Sequence, residues 1–303
     1  MEIIKPPKQT FMAELERFEP ASRDSTAIVA AKTCMRYYFY TMVCGFVDKE
    51  SPMFFKFGSA YHKFREVLET YQGDQEKKYE AAIVSALLEF GMSDPPIGGK
   101  FDFLTRERLL KTCKKAYVHR NKELTSGNVK VLKSEQAFEV LLLDGKTRRG
   151  GKLDQILQYG GRTAIRDFKT TSKNIAYYER LTDPNDQFTG YLLGISKLTG
   201  EYVGLLVVEV VHNSKSEGPT IKTFLATRTS WQLEQWEREQ VVIEEMISVC
   251  RGRDIWPMEE KACPFCKFRS VCKMGTEQAQ QARLQQEFTQ RAWDYKSLGE
   301  DAD

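Results

Sequence analysis

The stretch "GGKLDQILQYGGRTAIRDFKT", residues 150–170, decides how this chain folds. Its Gly160-Gly161 pair separates two runs of mixed apolar and polar residues, the pattern of a tight turn joining two strands. Residues two apart in a strand share a face, so Asp167 and Lys169 project together while Phe168 projects the other way. Asp154 stands on the strand before the turn, where Leu153 and Leu157 mark an apolar face. Paired strands bring two such carboxylates together. Like charges held close repel unless a cation lies between them. Oxygen ligands of this kind suit Mg²⁺ or Mn²⁺.

Upstream, "SEQAFEVLLL" alternates in part and "DGKTRRGG" turns into "KLDQILQY", so the pattern predicts a three-stranded meander. Downstream, Asp183-Pro184 predicts an N-cap and a first-position proline opening the helix "NDQFTGYLLGISKLTG". Gln187 and Tyr191, four apart, share one face of that helix. Two further strands, "EYVGLLVVEVV" and "TIKTFLATRT", flank the polar turn "HNSKSEGP", and the long helix "SWQLEQWEREQVVIEEMISVC" follows. The chain to about residue 125 reads as helical. There "FGSAYHKFREVLETYQ" sets Phe57, Tyr61, Phe64, Leu68 and Tyr71 on one face. His62 lies one position off that stripe, where it offers a nitrogen ligand. Helices flanking a central mixed sheet make an α/β fold.

With 303 residues, 41% hydrophobic and 29% charged, the chain has the composition of a globular protein able to bury a full core. No apolar run reaches membrane-spanning length and "MEIIKPPKQT" lacks a secretory core, so a cytoplasmic location and no membrane partner are expected. The net charge of +3 does not by itself mark a nucleic-acid binder. Basic residues are bunched, however, in "KTCKKAYVHRNK", "GKTRRGGK" and "CKFRSVCK", each a solvated face or a phosphate-binding surface. The aromatics of "RYYFY" and "FFKFG" are either core residues or flat stacking surfaces.

Seven cysteines in a reducing compartment point to metal rather than disulfides. Cys263, Cys266 and Cys272 form a C-x₂-C-x₅-C cluster, Cys34 is the best fourth ligand and Cys44 the second; Cys113 and Cys250 fall in helical patterns as packing residues. Four-cysteine zinc and an iron–sulfur cluster both satisfy this spacing. The expected organisation is one domain over residues 1–275 and a helical tail over 276–303. In that tail Leu284, Phe288 and Tyr295 lie near one helical face, to pack on the core or dock a protein partner.

Taken in order, His62, Gly151 with Asp154, Asp167 with Lys169 and Thr170, and Gln187 with Tyr191 resemble the motifs of the PD-(D/E)xK nuclease superfamily, in its RecB/AddB-type branch. The resemblance implies a restriction-endonuclease-like core with an N-terminal helical elaboration and a C-terminal iron–sulfur turn. It also implies a divalent-metal-dependent deoxyribonuclease, an exonuclease on single-stranded DNA ends. The metal ligands would be His62, Asp154, Asp167 and the Phe168 backbone carbonyl, with Lys169, Gln187 and Tyr191 completing the catalytic set. A [4Fe–4S] cluster would be held by Cys34, Cys263, Cys266 and Cys272. Lys169, beside bound cations, would have its pKa drawn down. Leu153 stands where the superfamily name has proline, and Glu135 matches a frequently acidic position without an assigned role. Recombination, repair, CRISPR adaptation or phage DNA metabolism would be the setting. The rival readings are a non-cleaving DNA-binding subunit and a zinc-stabilised, structure-specific endonuclease.

Overall fold

In the computed structural model, which describes residues 17–18 and 22–294, the core is a five-stranded mixed sheet. Its strands are β2 (Val129–Leu141), β3 (Arg148–Tyr159), β4 (Arg162–Thr171), β5 (Leu205–His212) and β6 (Thr220–Thr227), in that spatial order. β2, β3 and β4 form the expected antiparallel meander, although β2 begins five residues before the "SEQAFEVLLL" stretch. β5 runs parallel to β4, and β6 returns antiparallel to β5. A parallel neighbour needs a crossover. Helices α6 (Ile175–Leu181) and α7 (Asp186–Thr199) provide it.

The helical N-terminal part comprises α1 (Ser25–Thr33), α2 (Met35–Tyr38), α3 (Met53–Thr70), α4 (Gln75–Phe90) and α5 (Arg106–Thr125). A π-helical stretch, Phe39–Val43, continues α2, and a short strand β1, Phe46–Asp48, follows it. Of the five α3 stripe positions, Tyr71 is 43% exposed, because the helix ends at Thr70 and its backbone turns extended there. The other four, Phe57, Tyr61, Phe64 and Leu68, are buried with Phe168 and Val211 of the sheet. Each such side chain contributes about 1.5–3 kcal/mol of apolar burial. α7 and α8 (Ser230–Arg253) cover the opposite face, where Phe188, Leu192 and Trp236 meet Ile165 and Val208.

Two local readings are corrected. The N-cap of α7 is Asn185, whose side chain accepts from the Phe188 N–H, while Asp183 turns to the Arg228 guanidinium at 2.8 Å. Asparagine caps as well as aspartate, so the Asp-Pro signal was displaced by two residues. Secondly, the helix after the cysteines, α10 (Glu277–Glu287), ends before Phe288, which opens a strand β7 (Phe288–Gln290) paired antiparallel with β1. Leu284 and Phe288 are both buried against the N-terminal aromatic cluster; Tyr295 lies outside the described residues. Tyr38, Phe39 and Tyr40 of "RYYFY" are 0–1% exposed and belong to that core, so they present no surface for stacking. Among the described residues no helix is long and apolar enough to cross a membrane.

Between the sheet and α3/α5 lies a buried network that the sequence did not announce. Arg120 grips Glu69 with two bonds, Nε–Oε1 at 2.6 Å and Nη2–Oε2 at 2.7 Å. Arg166 meets Glu123 at 3.0 Å, and Arg65 meets Glu209 at 3.1 Å. Each arginine thus has a glutamate, which offsets the cost of burying charge. Burial would raise the Glu69 carboxyl, but the Arg120 bonds outweigh it and hold it below the ordinary 4.5. Glu69→Gln is therefore expected to lower stability at neutral pH by on the order of 3 kcal/mol. A depressed carboxylate stabilises above its unfolded pKa and loses that contribution as pH falls through its folded value. The wild-type advantage should accordingly narrow from about pH 6 to about pH 3 in urea melts.

Candidate active site

The β3–β4 ladder ends at the Gln155–Arg166 pair. Beyond it β3 stays with β2 and β4 stays with β5, so the two strands fork. Asp154 and Asp167 are the first residues past the last pair. The Phe168 N–H, lying beyond the last rung of that ladder, donates to Asp154 Oδ2 at 2.6 Å. Asp154 Oδ1 meets His62 Nδ1 at 3.1 Å. Across the fork Lys169 Nζ donates to Asp167 Oδ1 at 3.0 Å and lies 2.7 Å from Oδ2. The Oδ2 approach is an ion pair without hydrogen-bond alignment, which leaves Oδ2 without a hydrogen-bond partner. Asp167 is 2% exposed.

Burial and the neighbouring Asp154 charge push Asp167 up to about 6, with Lys169 offsetting only part of this. Asp154 moves the other way: burial would raise it, but His62, Lys169 and the Phe168 N–H together lower it. Burial works against charge on His62 and Lys169, yet the two carboxylates outweigh it and raise both. The carboxylates around it thus hold Lys169 above its ordinary value. Two buried carboxylates of unlike acidity, each tied to its own cation, are what remains when like charges cannot both ionise freely.

Glu135, opposite Asp154 between the Ser134–Gln155 and Gln136–Leu153 pairs, has φ +51°. A non-glycine residue in the left-handed region is uncommon and marks a constrained position. It pairs with Lys152 at 3.3 Å, and burial, with the Asp154 charge second, pushes its carboxyl up to about 7. Gln187 Nε2 donates to the Tyr191 hydroxyl at 2.9 Å. Burial first, then the charges of Asp167 and Asp154, raise Tyr191 well above its ordinary value, which places the pair beside the carboxylates. The sequence missed Tyr178, which lies in the field of Lys169 and Asp167; a lone tyrosine in "YYER" carries no signal of this.

His62, Asp154 and Asp167 offer one nitrogen and carboxylate oxygens around the fork, a donor set suited to a hard divalent cation. Among the described residues, the trio with ligand atoms within 4.8 Å of one another is a different one, His119, Glu123 and Glu209. That group lies on the other face of the sheet, and Arg166 and Arg65 each occupy one oxygen of its carboxylates.

Cys34, Cys263, Cys266 and Cys272 border one cavity of about 930 Å³. Cys34 sits at the extended break between α1 and α2, and its Sγ accepts from the Glu259 N–H at 3.3 Å. No three of these sulfurs lie within 4.8 Å of one another. Cys44 is buried in the aromatic core, and Cys113 and Cys250 are buried on α5 and α8.

A family model described as the PD-(D/E)XK nuclease superfamily matches residues 25–273. No curated protein sequence matches the chain. Among solved structures, a candidate exonuclease from Eubacterium rectale is similar at 11% identity and a TM-score of 0.47, covering 91% of this chain and 96% of that one. LHK-Exo, solved in complex with dAMP, is similar at 10% identity and a TM-score of 0.28, covering 65% and 96%. The protein SSO0001 is similar at 11% identity and a TM-score of 0.28, covering 70% and 84%.

The glycine ahead of Asp154 has a steric reason. A Cβ on Gly151 would stand 2.8 Å from the Phe138 ring and 2.9 Å from the Tyr191 ring. Gly151→Ala should cost about 1–3 kcal/mol in urea melts. Gly218→Ala, with nothing within 4 Å, should cost little by comparison.

Proposed function

Because the chain belongs to the PD-(D/E)XK nuclease superfamily, we propose that it is a divalent-metal-dependent deoxyribonuclease of the RecB/AddB type, acting as an exonuclease on single-stranded DNA ends. The observation that carries this reading is the fork itself, with Asp154 and Asp167 buried side by side and Lys169 ion-paired to Asp167. His62, Asp154, Asp167 and the Phe168 carbonyl would hold Mg²⁺ or Mn²⁺, which supplies an activated water and charge stabilisation at the phosphoryl group. Lys169 would orient or deprotonate the attacking water or stabilise the transition state, and Gln187 and Tyr191, bonded to each other at 2.9 Å, would complete the catalytic set. The setting proposed is recombination, repair, CRISPR adaptation or phage DNA metabolism.

With Mg²⁺ or Mn²⁺ present, the wild type is expected to degrade end-labelled linear single-stranded DNA and to spare circles. Asp167→Asn and Lys169→Ala should each lose at least about a hundredfold in rate. Equal degradation by wild type and variants would overturn the nuclease reading; cleavage of circles would overturn the exonuclease part.

The cysteine cavity is proposed to hold a [4Fe–4S] cluster acting as a structural staple. The spacing fits four-cysteine zinc as well. What favours the cluster is the resemblance to the RecB/AddB-type branch, with one cysteine ahead of the nuclease core and C-x₂-C-x₅-C after it. Protein isolated without oxygen should contain about four iron and four sulfide per chain. Cys263→Ala should lose the iron and lower the melting temperature, because cluster binding energy becomes folding energy. Stoichiometric zinc in place of iron would overturn the assignment.

A further inference from the structure

A second cavity, of about 410 Å³, opens where β4 runs out beyond Lys169. Thr170 and Lys173 at the end of β4, Phe54 of α3 and Phe101 of the loop between α4 and α5 are among the residues that line it. Its size falls in the range of about 300–1,000 Å³ that takes small organic ligands. Three features distinguish it from an ordinary surface dent.

Its aromatic wall is partly open to solvent, unlike Phe57 behind it, which is core. Phe54 is 41% exposed, and its ring lies 5.3 Å from that of Phe101. The wall is also flanked by cations, with Lys100 Nζ 5.3 Å from the Phe101 ring centre and Lys173 exposed at the opposite rim. Finally, a buried donor in the lining lacks an acceptor. Asn213 is 1% exposed and its Oδ1 accepts from Thr112 Oγ1 at 3.1 Å, yet its Nδ2 has no hydrogen-bond partner. An unpaired buried amide donor is costly. Because Asn213 lines the cavity, a ligand seated there is its candidate partner.

The cavity joins the active site directly. Thr170, on the face of β4 opposite Lys169, and Tyr178, which lies in the field of Lys169 and Asp167, both border the cavity at the end of the strand that carries those two residues. From these observations we propose that the cavity is a base-binding subsite. It takes the unpaired nucleobase of the nucleotide next to the scissile phosphate, stacked on Phe101 and Phe54 and hydrogen-bonded by Asn213 Nδ2. Lys100 and Lys173 meet the flanking phosphates. This inference rests on the nuclease reading and sharpens its substrate. A base held in a duplex is already stacked and paired, and must leave the helix to enter such a cavity. Single-stranded ends pay no such cost, and aromatic stacking with phosphate contacts is their usual mode of binding.

The test is binding without catalysis. The full chain, in EDTA, is titrated into a short single-stranded oligonucleotide carrying 2-aminopurine near its end, with anisotropy and 2-aminopurine fluorescence as readouts. Stacking in the cavity should quench the probe. Phe101→Ala should abolish the quench and weaken binding roughly 5- to 100-fold, while Phe101→Trp should restore both. Asn213→Ala should weaken binding in the same direction. Phe101 is half-buried on a loop, so its variants decide the matter if Asn213→Ala does not fold. The proposal is overturned if Phe101→Ala binds within about a factor of two of the wild type with the quench intact. Because no divalent metal is present, that failure is distinct from failure of the nuclease reading, which is read by hydrolysis in the Asp167→Asn comparison.

Discussion

The Asp154 carboxylate bonded to the Phe168 amide is the contact on which the rest of the site depends. A sheet satisfies its backbone by pairing strands, and where two strands fork their facing amides need other partners. Asp154 meets that need with one oxygen and turns the other to His62. Asp167, past the last rung of the same ladder, then has a second carboxylate as its neighbour and Lys169 as its own counter-charge. The functional charges therefore arise where the sheet stops pairing with itself. A continuous β3–β4 ladder would have closed the space that a phosphate needs.

Helix α3 explains how this opening is held to tolerance. Three of its residues, Tyr61, His62 and Arg65, serve two faces of the sheet. Tyr61 and Arg65 both bond Glu209 Oε1 at 3.0 and 3.1 Å, and the Arg65 guanidinium lies 3.9 Å from the Phe168 ring centre. His62, between them in sequence, reaches Asp154. A helix anchored by buried, charge-assisted bonds has little freedom to slide, so the His62 ring is delivered at a fixed height. β4 contributes by alternation: Asp167 and Lys169 face the site while Arg166 and Phe168 tie the same strand to the helices behind it.

The meander, the helix after β4 and the residues gathered at the fork were legible because their signals are local. Gly160-Gly161 marks a turn, period-two spacing marks Asp167 and Lys169, and the α3 stripe locates His62. What stayed hidden depends on contacts distant in sequence. Arg120–Glu69 and Arg65–Glu209 look like ordinary solvated charges, since burial alone reveals their pairing. Phe288 continues a helical spacing until its backbone finds β1, a preference that no residue in "QQEFTQ" announces. The aromatics of "RYYFY" and "FFKFG" look alike on paper, yet the first set is sealed beneath the C-terminal segment and Phe54 is left open. Composition cannot distinguish them, because the distinction is made by the element that covers each.

The two cavities share a wall, and this gives the cysteine region a bearing on the chemistry. Leu181 of α6 borders both, and Gln187 at the start of α7 borders the cysteine cavity while bonding Tyr191 beside the carboxylates. The N-terminus of α7 is held from outside as well, by Lys32 at 2.6 Å and Trp236 at 2.8 Å, both to Asp186 Oδ1. The cysteine cavity is therefore lined by the same segment that carries Gln187 and leads to Tyr191. β1 pairing with β7 closes the same region by joining the two ends of the chain. A staple placed there would act on the site through α7, by fixing where one wall of the fork stands, without any part of it touching the reacting phosphate.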